Sequence, residues 1–152
     1  MSAPTPARPP DWRQISELLE DAGLPTSDLE PEHVARFHIV RQRGEIVGCV
    51  AVEPYGEWGL LRSLAVAREA RGQGLGGLLV DAAVDRARRD GIAHLVLLTE
   101  TAEPFFSSRG WEPVERSALS EAVRQSSEFC GSCCARAACL AREVEGKPMR
   151  PG

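Results

Sequence analysis

A glycine-rich loop with one arginine lies between an apolar run and a helical pattern near the middle of the chain. Glycines occur at Gly72, Gly74 and Gly76, Arg71 precedes them, and the helical pattern begins at about Leu75. Glycine lets the backbone turn so that several N–H groups face one point, which the positive end of the helix dipole also faces. Together with the Arg71 guanidinium, these donors predict a site for a diphosphate anion.

Two familiar phosphate-binding loops do not fit this segment. The loop of nucleotide hydrolases needs a lysine and a hydroxyl residue after its last glycine, and neither follows Gly76. The dinucleotide fingerprint needs a different glycine spacing at the first strand, whereas this loop lies in mid-chain. The remaining motif is Arg71-x-x-Gly74-x-Gly76 after Leu64-Ala65-Val66. It resembles the acetyl-coenzyme A loop of the GCN5-related N-acetyltransferase (GNAT) family.

A second segment carries the same resemblance. An apolar run over Ile92 to Thr99 suits a buried strand, and it is followed by Phe105-Phe106-Ser107-Ser108-Arg109-Gly110-Trp111. This resembles the family's Phe-Tyr-x-x-x-Gly-Phe element, a short helix that ends at Gly110 in a left-handed cap before an inward-packing aromatic residue. The resemblance covers roughly residues 12–144.

The resemblance implies the α/β GNAT fold, a mixed, mostly antiparallel sheet splayed at a central parallel strand pair, with helices on both faces. Apolar patterns and turn residues predict six strands. They are Phe37–Gln42, Glu45–Glu53, Gly59–Val66, Ile92–Leu98, Trp111–Arg116 and Ala137–Val144. Because the third and fourth are joined through the glycine loop and a helix, they should form a right-handed crossover and run parallel.

Apolar periodicity predicts the two longer helices. One runs from Trp12 to Asp21, with Asp11 as its cap and Gln14 completing a capping box. The other runs from Leu75 to Asp90. Its inward side chains are predicted to be Leu75, Leu78, Leu79, Ala82 and Ala83.

Composition indicates one soluble globular domain. The chain has 152 residues, a formal net charge of -4 and 26% charged residues. We assign residues 1–10, with four of the eleven prolines, to a disordered tail, residues 11–145 to the domain and residues 146–152 to a flexible tail. Interspersed charges argue against nucleic acid as a partner, and no apolar run is long enough for a membrane span. Without an export signal, a cytoplasmic protein with reduced thiols is expected.

Four of the five cysteines lie close together, at Cys130, Cys133, Cys134 and Cys139. A zinc site usually uses two ligand pairs separated by a dozen or so residues, so no metal is predicted. Two interpretations stay open. The side chains either pack as small apolar groups under the last strand, or capture a thiophilic ion such as trivalent arsenic.

The resemblance implies that acetyl-coenzyme A is the cosubstrate. Its diphosphate would lie on Arg71, Gly72, Gln73, Gly74, Leu75 and Gly76. Its pantetheine arm would pair with the backbone of Leu64, Ala65 and Val66, where the N–H of Leu64 or Ala65 would stabilise the oxyanion. Thr99 and Phe106 complete the predicted cofactor set. Thr99 could hydrogen-bond the pantetheine arm, whereas Phe106 replaces a frequent tyrosine, so the leaving thiolate must take its proton from water, the substrate ammonium or another side chain.

Three further residues are candidates for the acceptor side. Glu53, at a strand end, could deprotonate the amine, with Glu100 as second choice; alternatively, Glu53 is a solvated carboxylate. Arg62 and Ser63 precede the cofactor-binding backbone, at a place that usually faces the acceptor. Because a buried arginine requires an anion, Arg62 could hold an acidic group of the substrate or pair structurally with Glu53 or Glu57.

Further motifs resemble a narrower group, the N-acetyltransferases encoded with arsenic-resistance operons. They are Glu53-Pro54-Tyr55-Gly56, Leu61–Val66, Thr99–Phe106 and Ser127-Glu128-Phe129 with Cys133. This group implies a small-molecule amine as acceptor, such as an arsenic-containing amino acid like arsinothricin. A homodimer stays open as a further partner. Three other functions stay open: an acetyl-coenzyme A-binding module without turnover, an acetyltransferase of protein N-termini or lysines, and a thiol-based arsenic or metal sensor.

Overall fold

The computed structural model describes residues 3–24, 26–126 and 137–144. Its strands are β1 (Thr5–Pro6), β2 (Phe37–Gln42), β3 (Glu45–Tyr55), β4 (Trp58–Val66), β5 (His94–Thr99), β6 (Glu112–Pro113) and β7 (Ala138–Glu143). Its helices are α1 (Trp12–Asp21), α2 (Leu75–Arg89), α3 (Glu103–Ser107) and α4 (Glu121–Arg124). The strands form one sheet in the order β1-β2-β3-β4-β5-β7-β6.

The predicted sheet is confirmed, including its central parallel pair. Strands β4 and β5 run parallel. The neighbouring pairs β1/β2, β2/β3, β5/β7 and β6/β7 are antiparallel. The strand predicted over Trp111–Arg116 is shorter, because only Glu112–Pro113 form β6 and a 3₁₀ turn begins at Arg116. Pro113 has no N–H to donate, which limits this edge strand.

The N-terminal segment departs from the predicted tail. Thr5 and Pro6 form β1 and pair with Ile39 and His38 of β2, and the backbone N–H of Ala7 donates to the Phe37 carbonyl at 3.0 Å. Proline is acceptable here because an edge strand has one side without ladder hydrogen bonds. Residues 146–152, predicted as a flexible tail, lie outside the described residues.

Two compact units make up the chain, one from residues 1–52 and 61–85, the other from residues 53–60 and 86–152. The core of the first unit includes Ile15, Leu19, Phe37, Ile39, Cys49 and Ala65. In the second unit, Leu60, Val96, Leu119, Val123 and Cys139 form a core cluster. No helix of the described ranges is long and apolar enough to cross a membrane.

The predicted capping box of α1 is wrong. Asp11 has a helical backbone conformation because a 3₁₀ turn precedes it, and its side chain makes no capping hydrogen bond. A capping side chain normally needs an extended backbone at that position. The Asp11 carboxylate instead accepts from the Arg8 N–H at 2.8 Å and pairs with Arg41. Gln14 accepts from the backbone N–H of Ile46 at 3.1 Å.

Helix α2 begins at Leu75, as predicted, but its buried face differs from the predicted one. Leu75, Leu79 and Ala83 are buried, whereas Leu78 is 36% exposed and Ala82 is only partly buried. Three residues outside the predicted set are also buried, namely Val80, Val84 and Ala87. With 3.6 residues per turn, a stripe through Leu75, Leu79 and Ala83 leaves Leu78 toward solvent. Within the first unit the helix packs closely on β3, since a Cβ on Gly48 would come 2.9 Å from Leu79 Cδ1.

Candidate functional site

The glycine loop has the backbone geometry of an anion-binding turn. Gly72 and Gly74 have φ values of 83° and 80°, which side-chain-bearing residues rarely adopt. The first helical hydrogen bond of α2 runs from Leu78 N to Gly74 O at 3.2 Å. The N–H groups of the first turn therefore have no carbonyl one turn earlier within the helix. They are available to a ligand at the positive end of a 15-residue helix.

Two side-chain contacts hold this loop to neighbouring strands of the same unit. Arg71 Nε donates to the Val66 carbonyl at 3.1 Å, which links the loop to the end of β4. Gln73 Oε1 accepts from Gln42 Nε2 at 2.8 Å, which links it to the end of β2. Arg71 therefore fixes the loop to β4 through Nε, in addition to the anion-binding role predicted for its guanidinium.

Ser63 interrupts the regular backbone of β4. Its φ of 59° is positive, which is uncommon for a residue that carries a side chain and typically costs about 1–3 kcal/mol. Cys49 Sγ donates to the Ser63 carbonyl oxygen at 3.4 Å. Burial raises the pKa of the Cys49 thiol to about 12, against a hydrogen bond from the Ala65 backbone that lowers it. The thiol therefore keeps its proton and remains a donor to Ser63.

Backbone directions alternate along the end of β4. The N–H of Ala65 is bonded to Cys49, and the N–H of Ala67 donates to the Val47 carbonyl at 2.8 Å. Both point toward β3. Since the backbone N–H groups of successive residues in a strand point to opposite edges, those of Leu64 and Val66 point to the edge away from β3. Of the two predicted oxyanion donors, only Leu64 thus faces away from β3.

The parallel register of β4 and β5 is short. It runs from Trp58 and His94 to Leu60 and Val96, although β4 continues to Val66 and β5 to Thr99, all described residues. The central parallel pair that the resemblance predicts is therefore present, and pantetheine binding beside it stays a prediction.

Arg62 is buried and pairs with Asp28, which no sequence pattern marks as its partner. Its Nη1 lies 2.5 Å from Asp28 Oδ2, and its Nη2 lies 3.1 Å from Asp28 Oδ1. The Arg62 side chain is 2% exposed, and that of Asp28 is 24% exposed. Arg62 Nε also donates to Ser63 Oγ at 3.3 Å. Asp28 lies in the connection between α1 and β2, where no local pattern marks it as a partner of β4.

Glu53 lies in the second unit, inside β3 and not at its end. It is only 6% exposed, so the interpretation as a solvated strand-end carboxylate is wrong. The Tyr55 hydroxyl donates to Glu53 Oε1 at 3.1 Å. No sequence pattern marks Tyr55 as this partner, because the contact depends on the path of a long side chain between residues two apart on the strand. Glu100, the second candidate base, is exposed.

The side chains of Thr99 and Phe106, also in the second unit, both contact residues nearby in the chain. Thr99 Oγ1 accepts from the backbone N–H of Ala102 at 3.0 Å, just before α3. Phe106 is buried, with its ring centroid 5.0 Å from Phe105 and 5.5 Å from Trp111. Gly110 has a φ of 94° and Trp111 is buried, which confirms the predicted cap and inward aromatic residue.

The cysteine cluster is described in part. Cys130, Cys133 and Cys134 lie outside the described residues. Cys139 is buried in β7, where burial raises the pKa of its thiol and the nearby Arg116 charge lowers it. Among the described residues, no group of three His, Cys, Asp or Glu side chains could hold a metal ion.

Comparison with known proteins identifies the family to which the fold belongs. Residues 4–111 match the model of the acetyltransferase (GNAT) family. An uncharacterized N-acetyltransferase of Chlorobaculum tepidum is 30% identical over 109 residues, which cover 71% of this chain and 68% of the relative. An amino-acid acetyltransferase of Neisseria meningitidis is 30% identical over 95 residues, which cover 61% of this chain but 22% of the relative.

A solved structure gives the same result at the level of the fold. N-acetylglutamate synthase from Neisseria gonorrhoeae, complexed with coenzyme A and N-acetyl-glutamate, has a TM-score of 0.83 and 25% sequence identity. The similarity covers 96% of this chain and 36% of that one, so the chain spans about a third of the synthase. Because the family model matches well over half of its residues, the chain belongs to the acetyltransferase (GNAT) family.

Proposed function

We propose that this chain is an acetyl-coenzyme A-dependent N-acetyltransferase whose acceptor is the amine of an amino acid with a second acidic group. The observation that carries this proposal is a buried arginine, Arg62, two residues before the strand edge at Leu64, in the unit that also holds the glycine loop. A buried guanidinium beside a cofactor-binding edge suits recognition of a carboxylate or a similar oxyanion.

The donor would be held by backbone groups. The N–H groups from Arg71 to Gly76 would take the diphosphate, and the strand edge at Leu64 and Val66 would take the pantetheine arm. The N–H of Leu64 would stabilise the negative charge that develops on the thioester oxygen. Positive φ at Ser63 supports this assignment, because it sets the direction of the residues that follow.

The reaction needs two proton movements. Glu53 would accept a proton from the acceptor ammonium, and the neutral amine would then attack the thioester carbon and break its bond to sulfur. Tyr55 would fix the orientation of the Glu53 carboxylate. Because Phe106 has no proton to give, the departing thiolate would be protonated by water or by a proton from the substrate amine.

Two acceptors of this class are specific candidates. The resemblance to the arsenic-resistance group favours an arsenic-containing amino acid such as arsinothricin, which has a carboxylate and an arsinate group. The similarity to a synthase crystallised with N-acetyl-glutamate favours glutamate, which has two carboxylates. Both have the features that Arg62 would recognise, and both would be acetylated on the α-amine.

Release of free thiol from acetyl-coenzyme A tests the proposal. The panel comprises glutamate, arsinothricin, neutral amino acids, polyamines, aminoglycosides and a peptide with a free N-terminus. We expect release with the acidic amino acids, and the Arg62→Ala variant should raise the acceptor KM far more than the acetyl-coenzyme A KM. Arg13→Ala, at an exposed position of α1, is the matched control.

Other outcomes assign the alternatives. Equal effects of Arg62→Ala on both KM values would reject the acceptor role of Arg62. Calorimetric binding of acetyl-coenzyme A without thiol release from any amine would instead identify a binding module, and release with the peptide alone would identify a protein acetyltransferase.

A further inference from the structure

The Cys49 side chain holds the peptide group whose N–H is the predicted oxyanion donor. Its thiol donates to the Ser63 carbonyl oxygen at 3.4 Å, and that oxygen belongs to the same peptide group as the Leu64 N–H. The sulfur also accepts from the Ala65 N–H. One side chain therefore contacts the peptide groups on both sides of Leu64.

The shape of a peptide group converts this contact into a direction for the Leu64 N–H. The Ser63–Leu64 bond is trans, as are the other peptide bonds of the described ranges. In a planar trans peptide group, the C=O and N–H bonds point in opposite directions. Because Cys49 lies in β3 and binds the carbonyl oxygen, the Leu64 N–H is directed to the edge of β4 away from β3.

The strand by itself does not fix this peptide group. Ser63 has a φ of 59°, outside the β region, so the regular backbone of β4 is interrupted immediately before Leu64. The parallel register with β5 has already ended at Leu60. A side chain that binds the peptide group directly can supply the orientation that a regular ladder supplies elsewhere.

Burial keeps the Cys49 thiol in the form that donates. The residue is 0% exposed, and its burial raises the pKa of the thiol to about 12 in spite of the bond from Ala65. Hydrogen bonds in series polarise one another, so donation to a peptide oxygen makes the N–H of that peptide group a stronger donor. The thiol thus affects both the direction and the donor strength of the Leu64 N–H.

We propose that Cys49 is a positioning residue for acetyl transfer, whose thiol holds the Ser63–Leu64 peptide group so that the Leu64 N–H meets the thioester oxygen. This inference rests on the proposed function, since it takes the Leu64 N–H as the oxyanion donor. The thiol touches no reacting atom and undergoes no chemical change. Its effect belongs to the transition state, because donors fixed in advance act most strongly where charge develops.

The variants Cys49→Ala and Cys49→Ser separate the donor from the packing. Both replace the sulfur by a smaller side chain, but only serine has a hydroxyl that can donate to the Ser63 carbonyl and accept from the Ala65 N–H. Complete removal of an oxyanion donor typically lowers kcat about 10²- to 10³-fold. Since Leu64 remains but is no longer held, Cys49→Ala should lose about tenfold in kcat with glutamate, and Cys49→Ser should stay within about threefold of the parent.

Calorimetry with coenzyme A is the readout that a general distortion of the strand would change. This ligand has the diphosphate and the pantetheine arm but no acetyl oxygen, so Cys49→Ala should bind it within about twofold of the parent. Cys139→Ala removes a buried thiol from β7 and is the matched control, which should retain the kcat of the parent. Equal losses of kcat in Cys49→Ala and Cys49→Ser, or a loss of coenzyme A affinity that matches the loss of kcat, would overturn the proposal.

NMR of the Leu64 amide gives a second measurement that does not depend on turnover. Its signal should differ between the complexes with acetyl-coenzyme A and coenzyme A, because only the first presents a thioester oxygen. This difference should be present in the parent and Cys49→Ser and reduced in Cys49→Ala. An equal difference in all three proteins would contradict the positioning role.

Failure of the proposed activity gives a different pattern. No thiol release with any amine, together with a Leu64 difference that is reduced only in Cys49→Ala, would support the positioning role and reject acetyl transfer to an amine. Thiol release with glutamate at the same kcat in the parent, Cys49→Ala and Cys49→Ser would retain the reaction and reject the positioning role.

Discussion

Cys49 Sγ donates to the carbonyl oxygen of Ser63 at 3.4 Å, and Ser63 is the residue of β4 with a positive φ of 59°. The thiol also accepts from the Ala65 N–H, so one buried side chain of β3 binds the backbone on both sides of Leu64. Cys49 thus stabilises the conformation in which Leu64 faces the opposite edge.

Replacing Cys49 with alanine should reduce stability and alter its dependence on pH. The variant loses the hydrogen bonds that the thiol makes with the Ser63 carbonyl and the Ala65 N–H, and it leaves a small cavity. Together these changes should cost about 1–3 kcal/mol near neutral pH. Chemical denaturation of the parent and Cys49→Ala at several pH values measures this difference.

At alkaline pH, the stability of the parent should fall as the pH rises. Unfolding lowers the pKa of this thiol from about 12 to 9.0, so between these values the unfolded chain releases a proton that the folded chain retains. The stability contributed by the protonated thiol is present below pH 9 and falls by about 1.4 kcal/mol per pH unit above it. Cys49→Ala should lack this decline, so the two stability curves should converge; parallel curves would contradict the burial of an ionisable thiol.

Alanine at Gly72 or Gly74 should weaken binding of coenzyme A. A Cβ at either position meets no atom within 4 Å, so the cost comes from positive φ alone. An alanine with positive φ costs about 1–2 kcal/mol. If the loop backbone changes its conformation to avoid this cost, the affinity for coenzyme A should fall about tenfold. Calorimetry of each variant with coenzyme A provides the measurement.

Gly44→Ala is the matched control, because Gly44 has a φ of 82° and equally open surroundings in the β2–β3 turn. It should lose similar stability but bind coenzyme A normally. Weakened binding in this control would mean that the loop variants act through general destabilisation.

Glutamine at Glu53 should lower kcat about 10²- to 10⁴-fold, the usual range for loss of a general base. Binding of acetyl-coenzyme A should change little, since the change removes a charge from the acceptor side. Glu100→Gln distinguishes the two candidate bases, and its kcat should remain close to that of the parent. A large loss in Glu100→Gln with normal turnover in Glu53→Gln would assign the base to Glu100.

Alanine at Gly59 should destabilise the second unit by overpacking. The added Cβ would lie 2.9 Å from Leu95 Cδ2 and 3.2 Å from Ile92 Cδ1, and inserted methyl groups in packed interiors cost about 1–3 kcal/mol. Leu95→Val removes part of this obstruction. Denaturation should therefore show that the double variant loses less stability than the two single variants lose together. Additive losses would argue against direct contact between the added Cβ and Leu95.

Short-range sequence patterns were sufficient for much of the fold and for the cofactor loop. Glycines spaced by two residues predicted the turn before α2, Gly110 predicted the left-handed cap, and apolar runs predicted the parallel strands. These features depend on backbone preferences and side-chain periodicity, which act over a few residues. The family resemblance extended them to a cosubstrate, whose binding by the residues named here is a prediction that the experiments above test.

Contacts between distant residues were decided only by the tertiary structure. Asp28 reaches Arg62 across 34 positions, and Cys49 reaches Ser63 across 14. Which residue takes such a place depends on strand register and on the path of a connection, and neither leaves a local pattern. The sequence by itself determined that a buried arginine in β4 needs an anion, because charge burial is costly wherever it occurs; only the folded chain decided that Asp28 supplies it.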